Sequence, residues 1–192
     1  MIGVFPNPGR LRYLLGARTR PVLYLHIGMH KTGTTAIQTA MYASGKQLAR
    51  RRICYPKFEP NHSLAIRSLF SAQPDKIILH MRRGRILSEQ VTEFNAHIAG
   101  QLRRIGSGES WKKVLISGES MSTLGARGVG QMKQFFDELV NDYRVIFYIR
   151  PPASYINSDA QERVKGGSTL ESLTTNPPLP RYRNRLEPFL EL

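Results

Sequence analysis

Three short apolar runs, spaced far enough apart for helices to lie between them, constrain this chain most. Val22-Leu-Tyr-Leu-His-Ile27, Val114-Leu-Ile116 and Tyr143–Ile149 (YRVIFYI) are rich in β-branched, leucine and aromatic residues. Each is too short for a helix and runs into glycine, serine or a proline pair, so each reads as a buried strand. The segments between them carry helical periodicity. Leu87, Val91, Phe94, Ile98, Leu102 and Ile105 step by fours and threes, one face of a helix over 86–105 that Gly106-Ser-Gly108 stops. Val129, Met132, Phe136 and Leu139 mark a second helix, and a third runs from about Ser154 to Lys165 before Gly166-Gly167. Thr34 or Thr35 is placed to cap a helix over about 36–51 with Ile37, Met41 and Leu48 on its inner side. Leu64–Phe70 reads as a short helix and Thr174–Pro180 as a proline-rich loop. Buried strands alternating with helices predict an α/β fold: three layers, α/β/α, around a central parallel sheet.

In such sheets ligands bind beyond the carboxyl ends of the strands. That rule selects residues 28–35, 117–120 and 150–158, each polar or charged directly after its strand. The first is Gly28-Met-His-Lys-Thr-Gly-Thr-Thr35. Gly-x4-Gly between a strand and a helix is a phosphate-loop pattern, in which glycines let backbone N–H groups turn toward anionic oxygens. The nucleotide-hydrolysing form places Lys and then Ser/Thr after the second glycine. Here Thr34 and Thr35 stand there and the lysine, Lys31, lies inside the loop. No apolar run ends in an aspartate suited to magnesium, so anion binding is expected, and neither ATP hydrolysis nor a metal site is.

Charge agrees with an anionic ligand. Ten basic residues and no acidic one precede Glu59, while 18 basic and 14 acidic residues make up the rest. The single Cys54 excludes an intramolecular disulfide framework and a cysteine-rich zinc module. No run of ~18 apolar residues is present, so no transmembrane helix is expected. The opening MIGVFPNPGRLRYLLGARTR is interrupted by prolines and arginines where a signal peptide needs an apolar stretch. Residues 1–20 therefore read as a basic, partly flexible arm, residues 21–192 as one α/β domain, and the compartment as cytoplasmic. The arginine clusters at 50–52, 82–85 and 103–104 read first as solvated helix ends.

The wording His26-Ile-Gly-Met-His-Lys-Thr-Gly-Thr-Thr35 resembles the 5′-phosphosulfate loop of sulfotransferases that use 3′-phosphoadenosine 5′-phosphosulfate (PAPS), most closely bacterial members of the carbohydrate-type branch. A second signature of that family is an arginine ending a strand with a serine eight positions later; Arg150 and Ser158 in YIRPPASYINSDAQERVK have that spacing. Lesser similarities, in ICYP, Asn61-His62 and LISGES, extend the likeness over about residues 22–165. The resemblance implies the P-loop NTPase-like sulfotransferase fold, PAPS as sulfuryl donor, adenosine 3′,5′-bisphosphate as product, no metal, and a small-molecule or glycan acceptor. It implies that His30, Lys31, Thr32, Gly33, Thr34, Thr35, Arg150 and Ser158 hold the nucleotide and that Lys31 also steadies the leaving phosphate. For the general base, Glu119 after the second strand is the first choice and His62 the second, while His26 inside a strand reads as a core histidine. The family's basic, glycine-containing segment near the C-terminus finds no counterpart after Arg150, and the chain stops at Pro188–Leu192 in what reads as mid-helix. The C-terminal part of the usual domain is thus expected to be missing.

Two other classes compete. A P-loop kinase using ATP and magnesium is opposed by Thr34 after the second glycine. A basic nucleic-acid-binding module is suggested by charge alone and lacks a recognisable motif, so nucleic acid is not expected as the primary partner.

Overall fold

The computed structural model describes residues 2–6, 20–108 and 110–192. In chain order the elements are β1 (Ile2–Pro6), β2 (Val22–His26), α1 (Thr34–Ala43), α2 (Gly45–Arg50), β3 (Ile53–Cys54), α3 (Ser63–Phe70), α4 (Ile78–Arg82), α5 (Ser88–Ser107), β4 (Lys113–Ser117), α6 (Ala126–Asp137), β5 (Asp142–Tyr148), α7 (Pro152–Lys165), α8 (Leu170–Thr175) and α9 (Tyr182–Leu186). The sheet order is β1-β5-β2-β4-β3. β5, β2, β4 and β3 are parallel, with Leu25 beside Ile116 on one side and beside Val145 on the other. The three expected strands are therefore adjacent, and their carboxyl ends open on one edge.

The core lies on one face. Leu23, Leu25, Val114 and Ile116 are buried against Phe70 of α3, Ile98 and Leu102 of α5, and Met132 and Phe136 of α6. Each such side chain contributes about 1.5–3 kcal/mol of transfer free energy. Alternate strand positions, Tyr24, Leu115 and Ile146 among them, stay half-buried, so the second face is thinly covered. The periodic face of α5 holds at Val91, Ile98 and Leu102, while Leu87 lies before the helix and is exposed.

Several expectations are corrected. The opening residues are no free arm throughout: Ile2–Pro6 pairs antiparallel with β5, Ile2 opposite Tyr148 and Pro6 opposite Arg144. An uncovered β5 edge would present unpaired backbone groups, and this strand satisfies them. The rest of the arm, residues 7–19, lies outside the described residues. The helix over 36–51 is two helices broken at Ser44. Lys57 stacks its ammonium on the Tyr42 ring and donates to the Tyr42 carbonyl, satisfying a carbonyl at the end of α1, while Gly45 leaves room for the amine. The N-cap of α1 is Gly33 in the left-handed region, and neither Thr34 nor Thr35 caps the helix. Ile37, Met41 and Leu48 are only half-buried; the buried residues of α1 are Thr34 and Gln38. The loop expected over 174–180 begins inside α8. The last residues are no interrupted helix either: α9 gives way to a 3₁₀ turn over Glu187–Phe189, and Phe189 and Leu192 join the core.

Candidate active site

The loop after β2 is fixed from both sides by its neighbours. Ile27 and Met29 donate their amides to the carbonyls of Ile146 and Tyr148, Tyr148 donates to Gly28, and Gly118 donates to the carbonyl of His26. Met29 is fully buried and wedges the loop into the sheet. Gly28 has φ +108°, and a Cβ there would stand 3.0 Å from both Cα and Cβ of Glu119, so conformation and space both require glycine. Gly33 (φ +80°) needs only the conformation, having no heavy atom within 4 Å of its Cβ direction. Lys31, with φ 65°, is a non-glycine residue held in the left-handed region.

That geometry brings Lys31, Arg150 and Glu119 to one place. Arg150, just beyond β5, donates from Nη1 to the carbonyl of Lys31 at 2.7 Å. The Lys31 ammonium reaches Glu162 of α7 at 2.6 Å. Their pairing holds the exposed Glu162 carboxyl below its ordinary range, with Lys31 the main cause. Ser158 is half-buried on α7, and its hydroxyl makes no hydrogen bond among the described residues. Thr32 donates to the Met29 carbonyl at 2.6 Å, so its hydroxyl braces the loop. Thr34 is buried at the start of α1 and Thr35 is exposed beside it.

Glu119 begins a 3₁₀ turn over Glu119–Thr123, directly after β4 and Gly118. Gly118 has no room for a side chain, since a Cβ would meet the Ser63 amide at 2.6 Å. Both Glu119 oxygens are held by amides: Gln38 Nε2 donates to Oε2 at 2.7 Å and Asn61 Nδ2 donates to Oε1 at 3.0 Å. Asn61 is itself fixed, accepting the Ser63 amide at 2.9 Å. Burial works to raise the carboxyl pKa, but the bonds from Gln38, its own backbone and Asn61, with nearby His30, outweigh it and leave it lowered. Glu119 is thus an ionised carboxylate with a fixed orientation, each oxygen keeping a lone pair.

The histidines divide. His62 is fully buried; its Nε2 donates to the Pro56 carbonyl at 2.9 Å and its Nδ1 accepts the Ser117 amide at 3.2 Å. Burial pushes its pKa down to about 4. With both nitrogens engaged it has none to offer an acceptor, so the second-choice base is a structural residue. His26 is buried as expected, its Nδ1 2.7 Å from the Ser117 hydroxyl. His30 is half-buried in the loop, 3.5 Å from the Ser120 hydroxyl and 3.4 Å from Nη1 of Arg185. Its pKa is lowered, first by burial; Glu119 and Asp159 oppose the shift, and Arg185 and Lys31 add to it.

Sequence reasoning gave no role to Gln38, Asn61, Ser120, Glu162, Tyr182 or Arg185. The last two belong to α9, which lies across the strand ends: the Tyr182 hydroxyl donates to the Arg150 carbonyl at 2.8 Å and its ring meets Tyr155 edge-on. Among the described residues no group of three His, Cys, Asp or Glu side chains could hold a metal ion, and no helix is long and apolar enough to cross a membrane. No family model, curated protein or solved structure matches this chain.

Proposed function

We propose that the chain is a PAPS-dependent sulfotransferase, acting in the cytoplasm on a hydroxyl or amine of a carbohydrate or related small acceptor. The observation that carries this reading is the meeting of Lys31, Arg150 and Glu119 around one glycine loop, from the ends of three adjacent parallel strands, with Arg150 bonded to the lysine's own carbonyl. The residues fit the nucleotide. Among the described residues the Arg150 guanidinium has only a neutral carbonyl as partner, with a planar fork suited to a phosphate monoester, and Ser158 on the following helix has an uncommitted hydroxyl. The bound donor supplies the sulfuryl group.

The protein's part is positioning and electrostatics. Lys31 would exchange its exposed pairing with Glu162 for the phosphosulfate and offset charge developing on the leaving phosphate. The N-terminus of α1, beginning at Thr34, adds its dipole. As the acceptor oxygen bonds to sulfur and the sulfur–phosphate oxygen bond breaks, ionised Glu119 would take the acceptor's proton. The test is thermal unfolding with adenosine 3′,5′-bisphosphate. A rise in melting temperature that Lys31→Ala and Arg150→Ala each abolish is expected. No rise in the wild-type chain, or a larger magnesium-dependent rise with ATP, would overturn the proposal.

A further inference from the structure

Four large apolar side chains within residues 78–87 are more than half exposed: Ile78 and Met81 on α4, and Ile86 and Leu87 after the turn at Gly84. Apolar residues exposed singly are ordinary, but several together mark a surface that meets a partner. The stretch is firmly held. His80 is fully buried between its exposed neighbours, with Nε2 2.6 Å from the Ser68 hydroxyl of α3, and its Nδ1 accepts Arg85 Nε at 2.9 Å. Ser68 in turn donates to Asn95 of α5 at 2.6 Å, and Gln90 accepts the amides of Ile86 and Leu87. A buried polar network thus fixes the turn on α3 and α5, and the apolar side chains are presented outward by a fixed backbone.

Charge identifies what meets it. From Lys76 to Ser88 the chain carries four cations, Lys76, Arg82, Arg83 and Arg85, and no acidic residue. Arg83 is answered by Glu59 at 2.7 Å, and Arg85 stacks on the Phe94 ring. Lys76 and Arg82 are exposed, and neither forms an ion pair among the described residues. Side chains as exposed as these line no groove, so the partner is selected by chemistry rather than by shape: anionic at its face and apolar beneath. A second copy of the turn would set cations against cations. An anionic bilayer offers both features, since aliphatic side chains enter the boundary between headgroups and acyl chains while arginine stems carry their charge back to the lipid phosphates. We propose that residues 76–88 form a docking surface for an anionic lipid bilayer. The inference stands apart from the sulfotransferase reading.

The experiment is cosedimentation of the full chain with vesicles of phosphatidylcholine, alone or with about 30 % phosphatidylserine, in about 0.15 M salt. Binding to the anionic vesicles and none to the neutral ones is expected. A net charge of +14 draws the chain toward any anionic surface, so the deciding variants keep every charge. Ile86→Gln with Leu87→Gln should weaken partitioning about tenfold, whereas Leu170→Gln, at a residue as exposed as Ile86 but outside the turn, should leave it unchanged. Arg82→Gln should weaken it about fivefold. These side chains are exposed, so each variant should keep the wild-type melting temperature. Equal binding to both vesicles, or anionic binding undiminished in the double glutamine variant, would overturn the proposal. Binding to neither vesicle would also overturn it and leave the turn to an acidic protein. A lipid-free dimer that the double variant abolishes would overturn it in favour of a second copy of the chain.

Discussion

Replacing Gln38 by leucine tests whether Glu119 is held ionised by amides rather than by cations. The side chain is buried at 2 % exposure, and leucine is close to it in volume, so the change removes one donor without opening a large cavity. The lost bond is a 2.7 Å charge-assisted one to a half-buried carboxylate. Such bonds are worth about 1.5–3 kcal/mol, and leaving the acceptor unsatisfied forfeits most of that. For a chain of this size the loss amounts to about 3–12 °C in melting temperature. The pH dependence carries the sharper test. A carboxylate whose folded pKa is lowered stabilises the fold above its unfolded pKa and loses that contribution as pH falls through the folded value. Removing Gln38 leaves burial to push the pKa up, so the variant should lag the wild type at pH 7 and converge on it in acid. Urea unfolding at pH 7 and pH 3.5 measures this, and a carbon NMR titration of the Glu119 carboxyl should move upward in the variant. A deficit of the same size at both pH values, or none at pH 7, would refute the reasoning.

Gly28→Ala meets both a left-handed backbone and Glu119 at 3.0 Å, so it should cost about 1–3 kcal/mol in urea unfolding, whereas Gly33→Ala, strained but uncrowded, should cost about 1 kcal/mol. Glu162→Gln releases Lys31 and should tighten adenosine 3′,5′-bisphosphate by up to about fivefold at low salt, the worth of an exposed pair, in a calorimetric titration whose gain shrinks as salt is added. His62, with a folded pKa of about 4 against 6.5 unfolded, stabilises the fold fully above pH 6.5 and loses about 3 kcal/mol as pH falls from 6.5 to 4. Its ring protons should therefore show no titration above pH 5 in NMR.

The parts of the fold legible in the chain are those decided locally. β2, β4 and β5 announce themselves because their inward positions are buried and most of the alternate ones half-buried, which concentrates apolar residues in short runs, and α5 does because 20 residues allow a long periodic stripe. β3 is two residues, Ile53–Cys54, directly after three arginines, too short to carry any pattern. β1 is strand only because the open edge of β5 needs a partner, a demand set by residues 142–148. The break between α1 and α2 depends on Lys57, which lies beyond both helices in sequence.

The site divides along the same line. Lys31, Arg150 and Glu119 are legible because each directly follows a strand or its loop, and the ends of parallel neighbours converge. The residues that define their state are not, since Gln38 and Asn61 meet Glu119 across 81 and 58 positions and Arg185 meets His30 across 155. Total charge says nothing of this placement. Of the ten cations that precede Glu59, only Lys31 stands at the loop, and a carboxylate already neutralises it. Arg150, which donates to the Lys31 carbonyl, comes from the part of the chain where acids and bases nearly balance. On the proposed sulfotransferase reading, what makes a site for anions is the pairing of each cation. On that reading the Lys31 ammonium, on an exchangeable surface pair, and Arg150, on a carbonyl, turn to the nucleotide, whereas Glu119, satisfied by amides, keeps its negative charge among them without cancelling either.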